Sequence, residues 1–442
     1  MMFSNKQLTK LIWPLVIEQI LTMIVGMADT MMVSYAGEAA ISGVGLVDMI
    51  NNLIITVLAA IATGGAVIVC QYLGSQKKEQ ANFAASQLMT ITAIISIAIM
   101  VLCLVFHRGL LQLFFGSIEA DVMNACIIYF LITALSFPFL GIYNSSAAIF
   151  RSIEKTKVTM YISLLMNIIN IVGNYIGVII LQAGVAGVAF PTLISGIVAA
   201  IIMLVLSFNH ENPIYIKTKE VFAFNTTMIK KILQIAVPNG IENGLFTLGR
   251  VLVTSIAAVF GTSQIAANSV AGSIDQIAVV VVNAINLGIV TVVGQCVGAN
   301  DYDQATYYIK KLMKISYIIT AIIGGVVILA LPILLNLYSL SETARNYTYI
   351  LVIMHNIMAF ALHPTSFVLP NGLRSAGDVK YSMFVGIISM LIFRLGSAYL
   401  FGIIFDLGII GVWIAMGADW ACRSVLFMIR FVSAKWKEYK LI

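Results

Sequence analysis

The stretch QYLGSQKKEQA (Gln71–Ala81) returns later in the chain as QCVGANDYDQA (Gln295–Ala305). The two stretches share a Gln, a Gly, a Gln and an Ala in one register, at an offset of 224 residues. The same offset relates further pairs: Pro14 and Pro238, Glu18 and Glu242, Gly37 and Gly261, Ile41 and Ile265, Gly64 and Gly288, and GVAGV (Gly184–Val188) with GIIGV (Gly408–Val412). Arg151–Ser152 and Arg374–Ser375 match at an offset of 223. This shared register indicates an internal repeat, so we expect two units of similar fold.

The composition requires lipid as the solvent for most of the chain. Of its 442 residues 60% are hydrophobic and 10% charged, whereas a soluble globular protein carries about 25% charged residues. The sequence contains twelve apolar runs of helical length: 10–34, 44–71, 87–107, 122–144, 158–181, 184–208, 232–259, 265–295, 312–335, 344–369, 382–404 and 407–432. Each is long enough for a helix to cross a bilayer, and none alternates like a barrel strand. We therefore predict an all-α polytopic membrane protein with twelve transmembrane helices.

The basic residues predict the orientation of the chain in the membrane. If the N-terminus is cytoplasmic, 20 of the 25 Lys and Arg residues lie in cytoplasmic segments and only Arg108 and Arg345 lie outside. The remaining three, Arg250, Arg394 and Arg423, fall within predicted spans. Cytoplasmic loops are rich in Lys and Arg, so we expect a multi-pass protein of the cell membrane with both termini in the cytoplasm. The net charge of +6 then reflects orientation, and we expect no nucleic acid partner.

The repeat and the spans together predict the domain organisation. We expect an N-lobe over residues 1–208 with helices 1–6, a cytoplasmic linker over 209–231, and a C-lobe over 232–442 with helices 7–12. Six is an even number, so both repeats enter from the same side and form a parallel repeat about an axis along the membrane normal. Two such bundles around a central cleft suit alternating access. The five cysteines show no metal-binding spacing.

The first predicted span carries two acids, Glu18 and Asp29. They are 11 residues apart, which places them within about 20° on one helical face, with Thr22 between them. Asp29, in GMADTMMVS, has no embedded Lys or Arg within the first six spans, and its repeat counterpart is the apolar Val253. A charge inside a bilayer is costly, so we expect Asp29 to face protein or water and to exchange a proton, a metal cation or a cationic solute.

Other embedded polar residues allow a functional and a structural interpretation. Glu18 has Lys10 as a neighbour that could reach it, and its repeat partner Glu242 is interpreted in the same way. We expect Arg394, Asp419 and Arg423 to form a mutually neutralising network. The remaining polar residues form helical stripes that can line a site or hold helices together: Asn167, Asn170 and Asn174; Asn243, Thr247, Arg250 and Thr254; and Asn268, Asp275 and Asn286.

The sequence lacks the motifs of nucleotide-driven transport and of common membrane enzymes. It has no Walker loop, no H-E-x-x-H and no G-x-S-x-G motif, and no soluble domain large enough to bind a nucleotide. We therefore expect a protein that is not an enzyme and needs no cofactor beyond a coupling ion, H⁺ or Na⁺. The sequence shows no set of metal ligands, and Asp29 is the residue at which Na⁺ could bind.

Several stretches resemble the multidrug and toxic compound extrusion (MATE) transporters along nearly the whole chain: Met27–Leu46, Ala62–Gly74, Asn167–Val178, Gly184–Ser195 and Leu373–Met383. The resemblance implies a V-shaped pair of six-helix lobes that exports organic, usually cationic, compounds in exchange for protons or sodium. The family's acid in the first span falls on Asp29, and its partners on the fifth and sixth spans fall on Asn170, Asn174 and Thr192.

This chain departs from the family pattern in two places. Some members carry an acid where Asn174 stands. In another branch a sodium site in the second lobe uses acids of the seventh and tenth spans. Here the tenth span has no acid, and Glu242 lies nearer the helix start than that site needs. We therefore do not expect that second-lobe site.

These patterns favour a secondary active antiporter for multidrug efflux, a monomer whose partners are small organic molecules and membrane lipid. One alternative is a flippase for lipid-linked precursors, which would need a more cationic cavity for a pyrophosphate headgroup. Another is a membrane receptor or scaffold that does not transport, which would give no ion-dependent flux.

Overall fold

A computed structural model of the chain describes residues 2–116, 118–336, 338 and 340–442, with the backbone alone of Thr30. Within these residues the regular secondary structure is helical throughout. The predicted all-α class is therefore confirmed.

Eleven helices in the described residues are long and apolar enough to cross a membrane, and a bent helix pair supplies the twelfth span. In chain order the first to third spans are Asn5–Ser34, Glu38–Gly74 and Lys78–Phe115; the fourth is the pair Ala120–Ala134 and Phe137–Ser152; the fifth to twelfth are Thr156–Ile180, Ala186–Ser207, Thr226–Phe260, Thr262–Gly298, Tyr302–Asn336, Glu342–Ser375, Val379–Ile404 and Gly408–Val432. Each predicted apolar run lies on one of these spans.

The fourth span bends by 46° between its two helices. Pro138 stands in the first turn of the second helix, where its missing N–H costs no intrahelical hydrogen bond. The Ser136 hydroxyl donates to the carbonyl of Thr133 at 2.6 Å across the break. The sequence predicted a single apolar run over 122–144 here, and the structure divides the span into two helices at this local helix start.

The internal repeat is visible in the backbone turns between the spans. Residues with positive φ recur at the repeat offset: Gly37 and Gly261, Gln76 and Asn300, Gln182 and Asp406, Gly184 and Gly408, and, at 223, Glu154 and Gly377. The turns of Gln76 and Asn300 lie within the two matching stretches QYLGSQKKEQA and QCVGANDYDQA. Gly37 and Gly261 have φ of 104° and 90°, values that a residue with a Cβ rarely adopts. The repeat therefore preserves the path of the chain as well as its residues.

The described chain divides into two compact units. The N-terminal unit comprises Ser4–Gly240, and the C-terminal unit comprises Ile241–Ile442 together with Met2 and Phe3. The division falls inside the seventh span, so residues 209–231 and the first part of that span pack with the N-terminal unit.

The segment before the seventh span is fastened to the third span by the side chain of Gln87. Its amide nitrogen donates to the carbonyls of Glu220 at 2.6 Å and Ala223 at 2.7 Å, and its Oε1 accepts from the backbone N–H of Asn225 at 2.9 Å. One buried side chain thus satisfies three backbone groups of a segment that forms only one short helix.

The fifth and sixth spans approach each other through glycine. A Cβ on Gly177 would lie 2.3 Å from the carbonyl oxygen of Gly187, so the two backbones are in direct contact. One turn earlier, a Cβ on Gly173 would lie 2.6 Å from the Cβ of Pro191. Small residues permit such approach between membrane helices, and here they bring the polar side chains of the two spans together.

Candidate functional site

A chain of hydrogen bonds joins the first, fifth and sixth spans around Asp29. The Asn174 amide nitrogen donates to Asp29 Oδ1 at 2.6 Å and to Asn170 Oδ1 at 3.1 Å. The Asn170 amide nitrogen donates to Thr192 Oγ1 at 3.1 Å, and that hydroxyl donates to the carbonyl of Val188. Asp29, Asn170, Asn174 and Thr192, the residues predicted for ion coupling, thus form one cluster in the N-terminal unit. They lie up to 163 positions apart in the sequence.

The cluster contains an oxygen that lacks a protein partner. Asn174 is fully buried, and its Oδ1 accepts no hydrogen bond from the described residues. A buried polar atom without a partner is costly, and here it lies on the amide that also donates to Asp29. Carboxylate, amide and hydroxyl oxygens are ligands for hard cations, and the orphan oxygen can also accept from a protonated carboxyl group. The described residues contain no group of three or more His, Cys, Asp or Glu side chains placed to hold a metal ion.

A second acid, Asp48 of the second span, lies close enough to Asp29 for the two to interact electrostatically. Asp48 Oδ1 accepts from the Tyr129 hydroxyl at 3.1 Å and from the Asn51 amide at 3.4 Å. Two neighbouring carboxylates repel each other, and a shared proton or cation relieves that repulsion. We did not single out Asp48 from the sequence, although an acid three residues before Asn51 in an apolar span was an available signal.

Glu18 of the first span is an ion-pair partner of Arg151, at the end of the fourth span. Arg151 Nη2 lies 2.6 Å from Glu18 Oε1, and the Thr159 hydroxyl donates to Glu18 Oε2 at 2.9 Å. The sequence suggested Lys10 as the neighbour of Glu18, and the structure places Arg151 there instead. This pair accounts for Glu18 without a role at Asp29.

The repeat counterpart of this pair lies in the C-terminal unit. Arg374 Nη2 donates to Glu242 Oε2 at 2.5 Å, and Arg423 Nη1 lies 3.6 Å from Glu242 Oε1. Arg423 Nε also donates to Asp419 Oδ1 at 3.2 Å. Glu242 and Arg374 are the residues that the repeat aligns with Glu18 and Arg151, so both units contain the same buried pair.

The remaining predicted residues of the C-terminal unit divide into two groups. Asp275 Oδ1 lies 3.0 Å from His355 Nδ1, beside the rings of Trp413 and Trp420. Arg250 and Arg394 form no ion pair with an acid of the described chain. We expected a neutralising network of Arg394, Asp419 and Arg423; the structure joins the last two and leaves Arg394 outside ion-pair distance.

The MatE family model matches residues 14–176 and 238–400, that is, most of the chain. The chain belongs to the MatE family. The two matches begin 224 residues apart and end 224 residues apart, which is the offset of the internal repeat. The predicted family membership is thereby confirmed.

This MatE protein has relatives of nearly its own length. It is 30% identical over 433 residues to the uncharacterized transporter YisQ of Bacillus subtilis, covering 97% of this chain and 94% of that protein. It is 24% identical to the probable multidrug resistance protein NorM of Thermotoga maritima, covering 98% and 93% of the two chains.

Solved structures confirm the fold. A MOP superfamily transporter from Pyrococcus furiosus superposes with a TM-score of 0.90 at 21% identity, covering 97% of this chain and 96% of that one. A multidrug resistance MATE family transporter in an outward-facing conformation gives a TM-score of 0.90 at 20% identity, with the same coverage.

Proposed function

We propose that this protein exports organic compounds, cationic ones among them, in exchange for H⁺ or Na⁺ that binds at Asp29. The observation that supports this proposal is a carboxylate inside the first span that has no Lys, Arg or His partner among the described residues. Asp48 is near enough to interact with this carboxylate electrostatically, and the carboxylate's hydrogen-bond partner Asn174 carries the orphan amide oxygen. An embedded acid without a counter-ion is costly unless a proton or cation can neutralise it.

The proposed exchange follows from competition for this charge. With a proton or Na⁺ at Asp29, the cluster is neutralised and its attraction for a cationic compound falls. When the ion leaves, the carboxylate and the nearby Asp48 again favour a cation. Coupling requires that ion and compound bind unequally in the two states of the transporter. The gradients supply about 2.3 kcal/mol per charge per 100 mV and about 1.4 kcal/mol per pH unit.

The relatives and the charge distribution support this function over its rivals. Probable multidrug resistance proteins match over nearly the whole chain. A flippase for a pyrophosphate headgroup needs a predominantly cationic cavity, whereas the embedded cluster of the N-terminal unit is acidic and the arginines without an ion pair lie in the C-terminal unit alone. A receptor or scaffold gives no reason for an embedded acid without a counter-ion. We further propose a location in the cell membrane, with both termini in the cytoplasm and the protein acting as a monomer.

The test is dye efflux from proteoliposomes loaded with ethidium, under a pH gradient and a sodium gradient imposed separately. Asp29→Asn removes the charge and keeps the shape, so we expect efflux to fall by at least about tenfold under whichever gradient drives the wild type. Asp121→Asn, at an exposed acid near the start of the fourth span, is the matched control and should keep wild-type efflux. Undiminished efflux by Asp29→Asn would contradict the proposed role.

A further inference from the structure

Two guanidinium groups in the membrane-spanning part of the C-terminal unit form no ion pair with an acid of the described chain. Arg374 and Arg423 share Glu242 and Asp419, which balances two positive charges with two negative ones. Arg250 of the seventh span and Arg394 of the eleventh are left over in the described chain. The Nε atom of Arg394 is buried and has no hydrogen-bond acceptor among the described residues. An embedded charge of this kind needs water or a ligand.

The seventh span has two exposed flanks of opposite chemistry, on either side of a buried face. The buried face contains Glu242, Gly249 and Val253. At 100° per residue, one flank is apolar and comprises Ile241, Leu245, Leu248 and Leu252; the other is polar and comprises Asn243, Thr247, Arg250 and Thr254. The apolar flank suits lipid, whereas the polar flank, with Arg250 exposed, suits a water-filled space.

The two arginines are brought to one level by close helix packing. A Cβ on Gly249 would lie 2.4 Å from Met390 Sδ, so the seventh and eleventh spans are in contact there. Arg250 follows Gly249 directly, and Arg394 lies one turn after Met390. Arg394 is near enough to interact electrostatically with Asp419, which attracts it, and with Arg250, which repels it. Asp419 already accepts a hydrogen bond from Arg423, so the positive charges still outnumber the negative ones. Arg394 also lies in a π-helical segment, Ser389–Gly396, a widened helix that is frequent at functional sites.

The repeat shows how the surroundings of Arg250 and Arg394 differ from the proposed ion site around Asp29 in the N-terminal unit. At the offset of 224, Asn170 corresponds to Arg394, Asn174 to Ala398 and Asp29 to Val253. The register holds structurally close by, because Gly187 contacts Gly177 and its counterpart Gly411 contacts Phe401. At these three positions the C-terminal unit thus has no carboxylate and no amide, and it has one guanidinium. A guanidinium at a site without a carboxylate favours the binding of an anion and disfavours the binding of a cation.

We propose that Arg250 and Arg394 bind the anionic group, a carboxylate, sulfonate or phosphate, of a transported amphiphilic compound. The proposal rests on the export function above and assigns a binding site to the acidic group of a zwitterionic compound. Guanidinium groups recognise such oxyanions by paired N–H donors, and the unsatisfied Nε of Arg394 is one donor already in place. The same headgroup chemistry occurs in soluble zwitterions and in anionic lipids.

The test compares two dyes that differ by one ester: a cationic rhodamine methyl ester and its zwitterionic free acid. Binding is measured by fluorescence anisotropy in detergent micelles, and efflux in proteoliposomes. Arg250→Gln changes an exposed residue, so it should leave folding intact. We expect it to weaken binding and efflux of the free acid by about tenfold or more and to leave the ester within about twofold. Arg394→Gln should act in the same direction, and Arg250→Lys should recover part of the loss.

The control and the remaining outcomes separate this proposal from the export function. Arg108→Gln, at an exposed arginine of the third span, should change neither dye. Equal losses for both dyes, or unchanged free-acid binding in both glutamine variants, would overturn the anion site. If the wild type exports neither dye, the proposed export function is refuted. The anisotropy measurements of dye binding would then still test the anion site. Arginine-dependent movement of a fluorescent phosphatidylglycerol, without free-acid binding, would support the site with a lipid headgroup as its ligand.

Discussion

Replacing Arg151 with Met should destabilise the N-terminal unit by about 3–5 kcal/mol, because it leaves the Glu18 carboxylate buried without its cation. Glu18 is 4% exposed, and its ion-pair distance to Arg151 is 2.6 Å. Once Arg151 is gone, the hydroxyl of Thr159 at 2.9 Å is the hydrogen-bond donor that remains to the carboxylate. A hydroxyl dipole compensates a buried charge far less than a guanidinium does.

The repeat supplies an internal comparison of the same pair with a different neighbour. Arg374→Met removes the equivalent cation from Glu242, but Arg423 Nη1 remains 3.6 Å from that carboxylate. At an effective dielectric constant of about 20, two unit charges about 4 Å apart attract by about 4 kcal/mol. The remaining pair of Arg423 with Glu242 should therefore offset most of the stability lost with Arg374. Arg374→Met should destabilise the protein by less than half as much as Arg151→Met.

The assay is the apparent melting temperature in mild detergent, followed by the loss of the monodisperse peak in size-exclusion chromatography. For a unit of this size, 1 kcal/mol corresponds to roughly 2–4 °C, so Arg151→Met should lower the transition by roughly 6–20 °C. The double variant Glu18→Gln with Arg151→Met removes the stranded charge and should regain at least about 2 kcal/mol. The reasoning would be refuted by an equal or larger loss in Arg374→Met, or by a double variant no more stable than Arg151→Met.

Two further predictions concern backbone contacts. Gly177→Ala places a Cβ against the carbonyl of Gly187, so it should lower the free energy of unfolding by about 1–3 kcal/mol. It should also reduce ethidium efflux, because the strain lies one turn from Asn174. Gly45→Ala is the control, since its Cβ would meet open space, and an equal loss of stability in the two variants would argue against this contact. Gln87→Leu leaves three backbone groups of the segment before the seventh span without their hydrogen-bond partner. Limited trypsin digestion should therefore cut that segment several times faster than in the wild type. An unchanged digestion rate would mean that other contacts hold the segment in place.

Most of the fold could be predicted from the sequence, because a membrane helix is a local pattern. Every predicted apolar run lies on a span of the structure, and the offset of 224 reappears in the turns and in the family match. The bend of the fourth span was not predicted, because a single serine before Phe137–Pro138 lowers the hydropathy of the run too little to divide it into two helices. The predicted lobe boundaries at 208 and 232 remain predictions.

The candidate site was predicted only in part. Asp29 was identified from its own surroundings, and Asn170, Asn174 and Thr192 from the family resemblance; the structure brings the four together. Asp48 was missed although it lies in the predicted run 44–71; its closeness to Asp29 depends on the packing of two spans, which the sequence does not show. Its partner Tyr129 lies 81 residues away and on a different span.

The sequence by itself determined the helices, their number and their duplication, because hydrophobic length and repeated residues are properties of the chain read in order. It also indicated which charges would be costly in lipid. Only the tertiary structure decided which of those charges are neutralised. Glu18 pairs with Arg151, which lies 133 residues away, and Glu242 pairs with Arg374, which lies 132 residues away. Asp29, Arg250 and Arg394 form no ion pair among the described residues. Ion pairing depends on a few ångströms between side chains of different helices, and helix packing sets that distance.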